Sequence, residues 1–378
     1  MQARSRRAGR TPLRLGLRSC VFALALLWTS AAAALECGTN NGYVCTGGAP
    51  TQYAGGFDPR TGYGGFGGGA CTASRTPVVF IHGNGDSAIS FDMPPGVVSG
   101  YARPARSPYG ELRAAGYNDC ELFGVTYLSE VERAHPQYNY HEPYTYRMLE
   151  DFIDAVKAYT GKPQVDIVAH SLGSTMALAM LKYTGSQGSV RRFVNIGGAI
   201  RGLQTCRHTG YQNPLAQTCN AEGWVYPYNH TTFGLYPSTG VAGYGYNRWT
   251  GSGSGSLRGL PASWPGIRFY TITAGLHDQV HCFSTSNAAT CPAGALFNAR
   301  SNVIAQVDVG LGSTAYRYDW NWADGMPVNA GGGDNSSGVG HFRSLANTGV
   351  VLRNMLTTAC TTNCGSGYAG VHGPLSHL

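Results

Sequence analysis

Charge is scarce in this chain: Asp, Glu, Lys and Arg together make up 12% of its 378 residues. Apart from one N-terminal stretch, no run approaches the ~18 consecutive apolar residues that would mark a membrane-spanning helix. There is no P-loop, no dinucleotide fingerprint, no His-Glu-x-x-His zinc motif and no repeat of solenoid length. No Cys-x2-Cys pair faces a second such pair, which leaves zinc ribbons out. Nucleotide-driven, dinucleotide-dependent and zinc-dependent chemistry therefore find no support. No cofactor and no metal are expected.

The basic excess is also missing from most of the chain. Six of the 27 basic residues (Arg4, Arg6, Arg7, Arg10, Arg14 and Arg18) precede an apolar segment, Val21–Trp28, and a small-residue stretch, Ala31–Ala34. That order is expected of a secretory signal peptide over residues 1–34. Without it 21 basic residues face 20 acidic ones, and no basic stripe remains to attract nucleic acid. A secreted monomer with neither a nucleic-acid partner nor a stable membrane anchor is expected. The remaining residues, 35–378, are expected to form one domain, since no linker divides them.

Ten cysteines remain once Cys20 is removed, an even number that suits disulfides in an oxidising compartment. Sequence-local pairing joins Cys37 with Cys45, Cys206 with Cys219, Cys282 with Cys291 and Cys360 with Cys364. Cys71 and Cys120 are then left for each other.

What the chain does have is a rhythm of short apolar runs and helical stretches. Residues 76–81, 121–127, 165–169, 192–196, 267–274 and 302–309 read as strands. Residues 108–117 read as a short helix. Met148, Phe152, Val156 and Tyr159 recur at helical spacing, so 144–160 reads as an amphipathic helix stopped by Gly161. Such alternation predicts an α/β chain with a doubly wound, mostly parallel sheet. Residues 37–75 are rich in Gly and Tyr and read as irregular. Residues 199–265, rich in Gly, Tyr, Asn and Trp, read as a loop-rich insertion beside the site.

Residues 169–173, Ala-His-Ser-Leu-Gly, follow the strand Val165–Val168 and precede a helix-forming stretch. Such a strand–turn–helix lifts Ser171 above the sheet edge as a nucleophile. A serine hydroxyl needs a neighbouring base, and that base needs an orienting carboxylate. With the chain order Ser, acid, His, the acid is Asp278, just after the strand 267–274; Asp308, Asp319, Asp324 and Asp334 are its rivals. The base is His341, in Gly338-Val339-Gly340-His341, because only His372 and His377 lie beyond it. His170 adjoins the nucleophile and is expected to point away from it, into packing. The oxyanion of a tetrahedral intermediate needs two N–H donors: Leu172, after the nucleophile, and Asn84, in His82-Gly83-Asn84-Gly85. The run Gly331–Asn335 reads as a flexible loop beside His341, with a bound metal as the other reading. Tyrosine is abundant, 23 residues, with clusters at 138–146 and 226–246 suited to an amphipathic or polymer surface.

Several longer stretches are distinctive: Gln52-Tyr53-Ala54-Gly55-Gly56-Phe57, Gly62–Gly69, Phe80-Ile81-His82-Gly83-Asn84-Gly85-Asp86, Ser90–Gly96 and Trp322-Ala323-Asp324-Gly325-Met326-Pro327. Through these, from Cys37 to about Cys364, the chain resembles the secreted single-domain depolymerases of native, amorphous poly(3-hydroxybutyrate). The resemblance implies an α/β-hydrolase fold, Ser171, Asp278 and His341 as a triad, and Asn84 and Leu172 as oxyanion donors. That family commonly has methionine where this chain has Leu172, and only the backbone is needed there. The implied partner is a polyester surface; Tyr138, Tyr140 and His82 are expected as substrate contacts. A triacylglycerol lipase or general carboxylesterase, and a non-catalytic polymer-binding protein, are the alternatives.

Overall fold

The computed structural model describes residues 48–50, 52–139, 141–202, 256–282, 291–314, 318–321, 326–329 and 332–368. The expected signal peptide, the Cys37–Cys45 and Cys206–Cys219 pairs, Tyr140 and most of the 199–265 segment lie outside them.

Seven strands form one sheet: β1 (Gly65–Phe66), β2 (Val78–Ile81), β3 (Leu122–Val125), β4 (Val165–His170), β5 (Val190–Ile196), β6 (Arg268–Thr273) and β7 (Val303–Asp308). Their order is β1-β3-β2-β4-β5-β6-β7. Every neighbouring pair is parallel except β1 with β3. A further antiparallel pair, β8 (Tyr318–Asn321) and β9 (Met326–Asn329), stands apart from it. This is the mostly parallel sheet of an α/β-hydrolase.

The strands are short and apolar because both faces are covered, as parallel sheets require. Side chains alternate between two cores. Val79, Ile81, Ile167, Ala169, Phe193 and Phe269 face one. Val78, Phe80, Val168, Val194, Tyr270 and Ile272 face the other.

On the first face lie α3 (Pro143–Thr160) and α4 (Leu172–Thr184). In α3, Leu149, Phe152, Ile153 and Val156 keep the i, i+3, i+4, i+7 spacing of a buried stripe. Pro143 opens it at a position where a missing N–H costs nothing, and Gly161 closes it at φ 66°. Truncating Phe152 to alanine would cost about 3–5 kcal/mol. The opposite face is covered by α1 (Pro108–Ala114) and α6 (Gly349–Thr357), joined by Arg353 Nη1–Glu111 Oε2 at 3.0 Å. Two short helices, α2 (Glu130–Ala134) and α5 (Arg343–Ala346), flank the site edge.

The glycine-rich N-terminal stretch is irregular beyond β1, yet it is anchored. Phe57 packs edge-on against Phe123, Phe152 and Tyr159, at 4.8, 5.8 and 5.3 Å between ring centroids. Cys71–Cys120 fastens it to the start of β3. Cys282–Cys291 and Cys360–Cys364 are also formed. The segment expected as an insertion is core at both ends. Ala199, Ile200, Leu257, Leu260 and Trp264 all belong to the first hydrophobic core.

Among the described residues, no helix is long and apolar enough to cross a membrane.

Candidate active site

The loops that follow β2, β4, β5 and β6 meet at the carboxyl ends of these strands, where open α/β sheets collect ligands. β4 ends at His170, and α4 begins at Leu172. Ser171 alone makes the turn, at φ 53° and ψ −123°. A non-glycine residue pays a strain of order 1–3 kcal/mol there. Its surroundings enforce the turn: the Ser171 amide donates to Ile196 O at 2.9 Å, and Ser174 N donates to Ser171 O at 3.1 Å. A Cβ on Gly173 would fall 2.2 Å from His82 O, and one on Gly83 would fall 3.1 Å from Ser171 Cβ. The glycines let the loop after β2 close onto the serine.

The structure brings Ser171, His341 and Asp278 together. His341 Nε2 lies 2.9 Å from Ser171 Oγ. His341 Nδ1 lies 2.9 and 3.1 Å from the two oxygens of Asp278. With Nδ1 donating to the carboxylate, Nε2 is left to accept from the hydroxyl. Asp278 is fully buried and also accepts from the amides of Val280 and His281, at 2.9 and 3.0 Å. Burial pushes its carboxyl up, but His341, His281 and these donors more than reverse this and hold it well below the usual carboxylate range. His341 moves the other way: burial lowers its pKa, and the charge and hydrogen bond of Asp278 raise it past its ordinary value.

Gly197, at the end of β5, sits beneath the imidazole with φ 57°. A Cβ there would meet His341 Cε1 at 3.3 Å and Asp278 Oδ2 at 3.7 Å. Its N–H donates to Ile272 O, and its carbonyl accepts from His281 Nε2, both at 2.9 Å. The Cys282–Cys291 bond closes the acid loop, and Cys282 N donates to Asp278 O at 2.8 Å.

His170 packs away from the nucleophile, with Nε2 at 3.2 Å from His341 O. Burial pushes its pKa down to about 3, so it is neutral.

Leu172 N is the first amide of α4 and has no carbonyl within the helix to bond. The Asn84 side chain is fastened outward: Nδ2 donates to Pro136 O at 2.8 Å, and Oδ1 accepts from Asn139 Nδ2 at 2.7 Å. These bonds tie the loop after β2 to the Pro136–Asn139 segment.

His82 is a correction. Expected among the substrate contacts, its side chain is fully buried and stacks on Tyr127 with ring centroids 4.3 Å apart. Nε2 accepts from Tyr127 N at 3.2 Å, and Nδ1 lies 2.8 Å from Gly83 O. It braces the loop. Tyr138 is exposed and, with Leu128, Val131, Glu132, His135 and Asn139, lines a groove of about 330 Å³.

The glycine-rich run before His341 is a further difference. Asp334, expected in a flexible loop, accepts four hydrogen bonds around the histidine. Gln279 and Gly197 carry no motif in the sequence; a polar residue next to the candidate acid and a glycine ending a core strand are the available signals. Among the described residues, only Asp278, His281 and His341 bring ligand atoms within 4.8 Å of one another as a metal site would. A cation there would have to break the Asp278–His341 bond.

Residues 75–226, less than half of the chain, match the lipase (class 2) family. This stretch carries β2, β3, β4, the serine turn and β5. Among solved structures, Bacillus licheniformis lipase BlEst2 in its mature form is similar at 14% identity and a TM-score of 0.32. That overlap covers 55% of this chain and 69% of the other. For the propeptide form of that lipase the values are 12% and 0.38, over 83% and 54%. For Aspergillus fumigatus lipase B they are 14% and 0.34, over 63% and 46%. Sheet order shows the fold, and the lipase match covers the part of the chain that carries the serine turn.

Proposed function

We propose that the chain is a secreted serine ester hydrolase that works through an acyl-enzyme. One observation carries this: an unbroken hydrogen-bond chain from Asp278 through His341 to Ser171, ending on a hydroxyl held in a strained turn. Ser171 Oγ attacks the ester carbonyl carbon as His341 Nε2 takes its proton. The oxyanion is received by the amides of Asn84 and Leu172; losing such a donor typically costs about 3–4 kcal/mol of transition-state stabilisation. His341 then gives the proton to the departing alkoxide as the C–O bond breaks. Water attacks the acyl-enzyme, again with His341 as base, and Ser171 is regenerated. Asp278, kept ionised, holds the imidazole in the required tautomer.

For the substrate, the proposal is the ester bond of amorphous poly(3-hydroxybutyrate), cut to oligomers and 3-hydroxybutyrate. It is supported by the sequence resemblance and by the rim beside the Asn84 loop. There Val131, Tyr138 and Tyr144 are exposed, and Asn139 links the rim to Asn84. Tyr138 is assigned to polymer contact, with Tyr140 beside it in sequence. The second reading, a lipase or carboxylesterase acting on lipid esters, is favoured by the lipase match over 75–226. Secretion is supported by the disulfides.

Clearance of amorphous polymer granules, set beside fatty-acid release from long-chain glycerides, separates the two substrates. Granule clearance without glyceride hydrolysis is expected; the reverse would move the assignment to lipids. Ser171→Ala should abolish both. Granule loss unchanged in Ser171→Ala would leave only the reading of a binding protein without catalysis.

A further inference from the structure

Four donors converge on one carboxylate just outside the Ser171–His341–Asp278 chain. Asp334 Oδ1 accepts from Gly340 N at 3.0 Å and Arg343 N at 3.1 Å. Asp334 Oδ2 accepts from Phe342 N at 2.7 Å and Gln279 Nε2 at 2.6 Å. The amide these bonds skip is that of His341 itself, and it donates to Gln279 Oε1 at 3.1 Å. Gln279 is fully buried and directly follows Asp278. Every amide from 340 to 343 is therefore held by one side-chain pair, and that pair also ties the base loop to the acid loop.

The fit leaves no room for substitution at the crossing point. A Cβ on Gly340 would lie 2.5 Å from Gln279 Oε1 and 2.8 Å from Asp334 Oδ2. On the carbonyl side, His341 O accepts from Ser344 Oγ at 2.6 Å and faces His170 Nε2 at 3.2 Å. With both sides of its peptide fixed, the imidazole has little freedom except rotation about its own side chain, and Asp278 removes that.

We propose that Asp334, acting through Gln279 and the peptide of His341, is a positioning residue that aims the imidazole at Ser171. The proposal rests on the serine-hydrolase reading above and deepens it. The carboxylate also acts on His341 by charge. His341 is faced by Asp278 and His281 from the loop after β6, by His170 from the end of β4, by Asp86 from the loop after β2, and by Asp334. Burial works against its protonation, while Asp278, Asp334 and Asp86 favour it. Removing the Asp334 charge thus lowers the pKa of the base, and the neutral form survives to lower pH.

The test is kcat and KM against pH for a soluble p-nitrophenyl ester, with wild type, Asp334→Ala, Asp334→Asn, Gln279→Ala and Ser171→Ala. A misplaced catalytic group costs up to about a hundredfold, so kcat of Asp334→Ala should fall roughly tenfold to a hundredfold with KM within about twofold. The acid limb should move to lower pH in both Asp334 variants and stay in place in Gln279→Ala, which loses kcat without losing charge. A merely structural staple would lower the melting temperature and leave the limb where it is. Should Asp334→Ala not fold, Asp334→Asn carries the limb reading and Gln279→Ala the kcat reading. Folded Asp334 variants with wild-type kcat and an unmoved limb overturn the positioning role. If Ser171→Ala is as active as wild type, the serine-hydrolase reading falls instead, and the positioning role with it.

Discussion

Two glycines with nearly the same backbone separate what the site demands from what the chain demands. Gly161 ends α3 at φ 66° with nothing within 4 Å of a Cβ added there. Gly197 has φ 57°, and its Cβ would press on His341 at 3.3–3.4 Å. In Gly161→Ala the only cost is the left-handed backbone, about 1–2 kcal/mol. In a chain of this size that is a melting-temperature loss of about 1–4 °C, with kcat unchanged. Gly197→Ala carries the same backbone cost plus a contact that must be relieved. The main chain at 197 cannot swing aside, because Ile272 O and His281 Nε2 hold it from both sides. The imidazole has to give instead, by a few tenths of an ångström. Scaling from about a hundredfold for a 1 Å misplacement, kcat should fall roughly threefold to tenfold. Hydrolysis of a soluble ester and a thermal melt of both variants measure the two costs. If Gly197→Ala matches Gly161→Ala in kcat, the contact beneath His341 does not constrain the base, and the reasoning fails.

Two more outcomes follow from the strained turn and the buried histidines. Ser171→Gly and Ser171→Ala should both be inactive, but the glycine variant should be the more stable by about 1–2 kcal/mol, since only alanine keeps the left-handed strain. An alanine variant that melts as high as the glycine variant would refute it. His82, His141 and His170 are buried with pKa values pushed down to about 3. The unfolded chain takes up their protons first, so each should cost about 1.4 kcal/mol per pH unit below roughly 6.5. His341 has the opposite sign: its raised pKa contributes stability that is full below the unfolded value and lost as pH rises through the folded one. Asp278, with its lowered pKa, contributes above the unfolded carboxylate value and loses that contribution as pH falls through the folded one. Below pH 6.5 the His341 contribution is already full and flat, so the histidines with lowered pKa set the slope, and the melting temperature should drop steadily from pH 6.5 to 4.5. A flat profile over that range would contradict the assignment of neutral buried imidazoles.

The strands were readable because each is a short apolar run covered on both faces. α3 was readable because its apolar stripe keeps helical spacing and ends at a glycine. Ser171, Asp278 and His341 could be picked out because their chain order and their places after strands are local facts. Orientation was harder to read. His82 directly follows β2, and only the assembled fold shows that its ring stacks on Tyr127. Asp334 sits in a glycine-rich run that suggests mobility. The small residues there instead let amides crowd onto one carboxylate, and this depends on Gln279, 55 positions upstream. Gly197 shows no pattern of its own; its role exists only once the loops after β5, β6 and β7 are assembled above it.

The order β4-β5-β6 at the centre of the sheet acts as a gauge. Ser171 leaves the first of these strands, Gly197 the second and Asp278 the third. Neighbouring strands lie about 4.8 Å apart, so nucleophile and acid stand on tracks roughly 10 Å apart, a gap that one imidazole bridges with a hydrogen bond at each end. Hydrogen bonding between the strands maintains that gap. The distance across which the proton moves is thus set by the spacing of three strands, and not by the length of chain that joins the second to the third.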